Sequence, residues 1–136
     1  MKLTQDIFAN SEAWEQAGIA LPSFSREELV QATTNDPTWI HFGAGNIFRA
    51  FPAAVLQEVL NKGDYDKGVI VAEGFDPEII PKAYQPFDNL SLLVTLKADG
   101  TTETTVVASI TEALDATIGT GEDWERLEQI FIAPSL

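Results

Sequence analysis

The residues most able to do chemistry in this sequence lie in the stretch Trp39-Ile40-His41-Phe42-Gly43-Ala44-Gly45-Asn46-Ile47-Phe48-Arg49. A short β-prone run breaks at Gly-x-Gly, and an apolar pattern of helical spacing follows through Phe51, Val55 and Val59. Glycine lets the backbone turn tightly and approach a ligand closely, and free N–H groups at a helix start attract negative charge. Such a turn suits a phosphate. Phe48 stands where the full dinucleotide fingerprint has its third glycine, so the motif by itself leaves two readings open: a phosphate-binding turn, or a tight strand-to-helix turn with no ligand.

The second candidate is Glu73, which ends the apolar run Gly68-Val69-Ile70-Val71-Ala72 and lies 28 residues after Gly45. An acid at that strand end is where a nucleotide-binding βαβ unit holds the adenosine ribose hydroxyls, although the usual spacing is nearer ~20 residues. A solvated strand-end carboxylate is the plain alternative. Asp76, three residues on, is the other acid placed for the role.

Other chemistry finds little support. His41 is the sole histidine and, inside a strand, reads as a hydrogen-bonded core residue rather than an acid or base. Glu27-Glu28 and Glu122-Asp123 fall at helix starts, where the helix dipole accounts for them. The absence of cysteine removes disulfides, thiolate metal sites and cysteine nucleophiles. No catalytic residue and no metal site is assigned. The 136 residues carry 21 acidic and 8 basic side chains, a formal charge of −13 that opposes nucleic acid and anionic membranes. Lys62, Lys67 and Lys82 are scattered and form no basic patch. The N-terminus turns polar too soon for a signal peptide, and no apolar run approaches the roughly 20 residues that span a bilayer. A soluble, cytoplasmic protein is expected.

The elements that must position these residues read as follows. Residues 1–35 form a helical extension: a short amphipathic helix within 4–17, then a helix opened by the capping box Ser25-Arg26-Glu27-Glu28 and ended near Asn35-Asp36-Pro37. Residues 38–73 make a βαβ unit whose helix, 46–62, would bury Ile47, Phe51, Ala54, Val55, Val59 and Leu60, with Pro52 complicating its opening turn. Asp76 to Asn89 is an irregular connection. Asp99-Gly100 between two β-rich runs signals a hairpin over 90–110, which makes the sheet mixed. A helix over 122–132 would turn Trp124, Leu127, Ile130 and Phe131 inward.

From Ile40 to Phe51 the sequence resembles the mannitol dehydrogenase family of polyol-specific long-chain dehydrogenases, whose nucleotide turn looks like His-Phe-Gly-x-Gly-Asn-x-x-Arg. The resemblance continues through Gly68–Glu73 and the hairpin and covers roughly residues 36–132. It implies a Rossmann-like α/β fold that binds NAD(P), and hydride transfer between a sugar alcohol and a ketose or their hexuronate equivalents. Gly43, Gly45, Asn46, Ile47 and Arg49 fall on the family's nucleotide-turn motif and Glu73 on its acidic ribose position. The cofactor contacts expected are these, with Ala44 and Phe48 in the same turn and Asp76 able to share the role of Glu73, whose carboxylate makes NAD rather than NADP the expected cofactor. Phe48, where the phosphate-substrate member has glycine, favours the mannitol or hexuronate branch. The family's catalytic residues belong to a C-terminal domain that this sequence does not contain. The expectation is therefore an inactive nucleotide-binding portion with an apolar face open to self-association. An S-adenosylmethionine-dependent methyltransferase domain and a non-catalytic nucleotide-binding domain are the alternatives; Phe48-Arg49 and the Asp-Gly hairpin argue against the former.

Overall fold

A computed structural model describes all residues, Met1–Leu136. Two three-stranded sheets organise it. The first is parallel throughout, in the order β2 (Ile40–Phe42), β3 (Val69–Glu73), β6 (Ile110–Asp115). The second, mixed, sheet pairs β1 (Ile19–Ala20) parallel to β5 (Thr102–Val107), and β5 antiparallel to β4 (Ser91–Leu96). The expected hairpin is thus present and its sheet is mixed, but it is a separate sheet from the parallel one. The run read as one strand to Ile110 breaks at Ala108-Ser109, where the chain leaves the hairpin and enters β6 as a third parallel strand.

β3 is buried along its whole length, as a central parallel strand covered on both faces should be. Val69 and Val71 face a core shared with Leu56, Leu60, Ile80 and Tyr84. Ile70 and Ala72 face the other way, against Leu114, Leu127 and Ile130. The helices responsible are α4 (Pro52–Asn61) on one side and α5 (Glu122–Phe131) on the other.

Proline settles the opening of the long helical stretch. It is two helices, α3 (Asn46–Ala50) and α4, broken at Phe51, with Pro52 as the first residue of α4, where its missing N–H costs nothing. The break rotates the buried face. Phe48, Ala53, Leu56, Gln57 and Leu60 are inside, while Ile47, Phe51, Val55 and Val59, expected inside, are exposed. Phe131 of α5 is likewise turned out, whereas Leu127 and Ile130 are buried as expected.

The N-terminal extension folds as a 3-10 turn (Gln5–Ala9) and α1 (Ser11–Gln16), which bury Ile7 and Trp14 beneath the mixed sheet. α2 (Arg26–Asn35) begins at Ser25, whose Oγ accepts from the Glu28 N–H at 3.3 Å; the reciprocal bond from Glu28 of a full capping box is not made. Buried side chains hold the switch between sheets. Arg26 donates to the carbonyls of Ala108 and Ile110, the latter at 2.7 Å, and Ser109 Oγ donates to Ala53 O at 2.6 Å. Gln57 donates to Val106 O at 2.6 Å and accepts from Ala108 N–H.

Candidate functional site

The glycine turn sits at the C-terminal edge of the parallel sheet, between β2 and α3. Gly43 has φ +105°, a conformation that side-chain-bearing residues rarely adopt, so glycine is required there by the backbone alone. Gly45 differs. Its φ is −74°, its backbone is extended, and a Cβ built on it meets no protein atom within 4 Å. Neither strain nor packing within the chain requires glycine there, and its backbone is open to close approach.

The donors around Gly45 are free. Gly43 N–H is used by Ala72 O at 2.8 Å and Ala44 N–H by Glu73 Oε2 at 2.8 Å, but those of Gly45, Asn46 and Ile47 find no acceptor in the chain. Three adjacent free N–H groups beside an unobstructed glycine form a surface that fits an anionic oxygen.

Glu73 lies next to this turn and is only 8% exposed. Its carboxylate joins two segments, because Oε2 accepts from Ala44 across the sheet while Oε1 accepts from Phe75 N–H at 2.8 Å and Asp76 N–H at 3.2 Å. These bonds, that from Ala44 foremost, outweigh desolvation and hold the carboxyl below its usual range. Asp76 is exposed and turns its own carboxylate to Glu78 N–H at 2.9 Å.

Arg49 and Asn46 bond to each other, and the guanidinium carbon of Arg49 stands 5.4 Å from the centroid of the Tyr84 ring. Tyr84 is fully buried and donates its hydroxyl to Ala44 O at 2.7 Å. It comes from a π-helical turn, Ile80–Tyr84, in the segment read as irregular. The sequence offered only weak notice of it, a lone tyrosine amid Pro77, Pro81 and Pro86. A cavity of about 460 Å³ opens beside Arg49 and Asn46, walled by Lys82, Phe87 and Leu93 among others.

The structure therefore brings Gly43, Ala44, Gly45, Asn46, Arg49 and Glu73 together. Ile47 is exposed beside them, but Phe48 turns its ring into the core, stacked on His41 at 4.2 Å between centroids. That stacking replaces the expected hydrogen bonding of His41, which is half-buried and makes no side-chain hydrogen bond. No group of three or more acidic or histidine side chains is arranged to hold a metal ion.

The fold is that of a Rossmann-like α/β domain. D-sorbitol dehydrogenase in its substrate-free form superposes with a TM-score of 0.70 at 21% identity, covering 88% of this chain and 23% of that one. The ternary complex of Pseudomonas fluorescens mannitol 2-dehydrogenase with NAD and D-mannitol gives 0.62 at 20% identity, covering 85% and 22%. By sequence, the chain is 46% identical, over all of its 136 residues, to D-mannonate oxidoreductase of Thermotoga maritima. It spans 25% of that relative's length. No protein-family model matches. Homology to a mannonate oxidoreductase, with polyol dehydrogenases as structural neighbours, bears out the resemblance to the mannitol dehydrogenase family.

Proposed function

We propose that the chain is the nucleotide-binding part of an NAD-dependent oxidoreductase that interconverts a sugar alcohol and a ketose, or the hexuronate equivalents. The observation that carries this reading is Gly45: an open, unstrained glycine flanked by free N–H groups, on a Rossmann-like fold. The 46% identity to a D-mannonate oxidoreductase favours the acidic, hexuronate branch for the substrate. When bound, NAD supplies the hydride chemistry. The chain's own residues bind and orient it: Gly43 shapes the turn, the free N–H groups with Asn46 and Arg49 receive the diphosphate, and Glu73 accepts from a ribose hydroxyl.

Glu73 also carries the choice of NAD over NADP. An ionised carboxylate offers about four lone-pair sites. Backbone donors take three of them, leaving one on Oε2 for a ribose hydroxyl. The 2′-phosphate of NADP would bring like charge against that oxygen. In sequence, Lys82 is the first cation after Glu73, and it is bonded to Glu78.

Fluorescence titration of the purified protein with NADH and NADPH tests the reading, with NADH expected to bind the more tightly. Gly45→Val should abolish NADH binding with the circular dichroism spectrum intact, since the new side chain enters open space. Undiminished affinity in that variant, or equal affinity for NADPH in the unsubstituted protein, contradicts the assignment of Gly45 or of Glu73 respectively. Substrate turnover is expected to need groups outside these residues, and reduction of fructuronate or tagaturonate by the 136-residue chain alone would refute that division.

A further inference from the structure

We propose that Tyr84 positions the diphosphate-binding groups of this site, fixing the Ala44–Gly45 peptide through its hydroxyl and Arg49 through its ring. The proposal rests on the dinucleotide reading and deepens it. In a trans peptide the C=O of one residue and the N–H of the next point in opposite directions. Tyr84 holds the Ala44 carbonyl toward the core at 2.7 Å, so the Gly45 N–H is aimed the other way, where it meets no acceptor in the chain. Ala44 is fully buried and is held on its other side as well, its N–H donating to Glu73 Oε2. The residue between the two glycines is thereby clamped at both polar atoms, in a segment where glycine would otherwise let the backbone rotate freely.

The ring does the second task. Arg49 is half-buried, bonded to Asn46 Oδ1, and stands over the Tyr84 face at 5.4 Å. The aromatic face holds the cation without taking up its N–H donors, which stay available for phosphate oxygen. Tyr84 is itself immobile, buried among Ile80, Val71 and Leu56, on a π-helical turn of the kind that frequently marks functional positions. Burial pushes its hydroxyl up to about 12, so it stays a donor across neutral pH.

The test compares ligands with and without phosphate. NADH is followed by fluorescence, and ADP and adenosine by competition or calorimetry. Tyr84→Phe keeps the ring and removes the hydroxyl. It should weaken NADH and ADP together by roughly 3–10-fold, the equivalent of one lost hydrogen bond, and leave adenosine unchanged. Arg49→Met, at a half-buried position outside the core, should also weaken ADP and spare adenosine, and its cost should shrink in a Tyr84→Leu background that lacks the ring; an equal cost with and without the ring overturns the ring's role. NADH and ADP affinities unchanged in Tyr84→Phe overturn the role of the hydroxyl and leave the dinucleotide reading standing. Adenosine falling in step with ADP means general loosening and overturns the proposal too. Failure of the unsubstituted protein to bind either NADH or NADPH overturns both readings.

Discussion

Glu73 is buried as a charge, and three backbone donors make that tolerable. The consequence is a pH dependence whose sign is fixed. Because the folded state holds the Glu73 carboxyl below its usual range, protonation favours the unfolded chain. The stability it contributes is present above the ordinary carboxylate range and is lost as pH falls through that range toward the lower folded value. Glu73→Gln should therefore flatten the acid limb of the stability curve measured by urea unfolding between about pH 6 and pH 3. An acid limb as steep as that of the unsubstituted protein would show that other carboxylates carry it. The glycines, Asn46, Arg49 and Glu73 were legible because their signal is local: a turn, a strand end, a spacing. Tyr84 was not, because its value lies in reaching a carbonyl 40 positions away from a turn that no periodicity announces. The place of the Phe48 ring is illegible for a related reason, since only the packing of α3 on β2 decides that it meets His41.

Among the elements, the passage from the hairpin to β6 is the one with the most at stake. The two sheets share one continuous chain at Val106–Ile110, and a strand leaving one ladder for another strands its backbone groups between them. Gln57 replaces a missing strand there, its amide giving to Val106 O and taking from Ala108 N–H, as a peptide group would. Gln57→Leu fills the same space but orphans both buried groups, at about 1–3 kcal/mol for each. The denaturation midpoint should fall accordingly, and a loss below about 1 kcal/mol would mean that water or a shifted ladder takes over. The βαβ unit and α5 were legible from apolar runs and caps. β6 and the true face of α4 were not: nothing in the run from Thr102 to Ile110 marks its break, which depends on Arg26 and Gln57 arriving from distant elements and on Ser109 reaching Ala53 O. At α4, the break before Pro52 changes the helical phase, so Ile47 and Phe51 fall off the inward stripe that an unbroken helix would give them.

At the scale of the whole molecule, what the fold leaves uncovered is as informative as what it buries. β2 pairs only with β3, and the alternation of a parallel ladder leaves the N–H and C=O of Ile40 and Phe42 on its free edge. Phe42 is more than half exposed beside Phe131, with ring centroids 6.2 Å apart, and Ile132 is 82% exposed next in sequence. Ile47, Phe51, Val55 and Val59 add an exposed apolar flank along α3 and α4. An open strand edge flanked by exposed apolar side chains is a template on which another chain can pair. The relatives offer a scale for it, since the chain spans a quarter of the mannonate oxidoreductase it matches. Left as 136 residues, the chain is expected to cover that surface with a second copy of itself. Its charge of −13 opposes the encounter, and salt screens that repulsion, with the Debye length falling from about 30 Å at 0.01 M to about 10 Å at 0.1 M. Association should therefore strengthen as ionic strength rises, the reverse of an interface held by ion pairs. Sedimentation velocity at low and moderate salt measures this directly. Phe51→Glu and Val55→Glu, both at exposed positions, should return the chain to monomer at both salts without lowering its thermal midpoint. A monomer at every salt and concentration, or a dimer that dissolves as salt is added, would rule out the apolar edge as the contact.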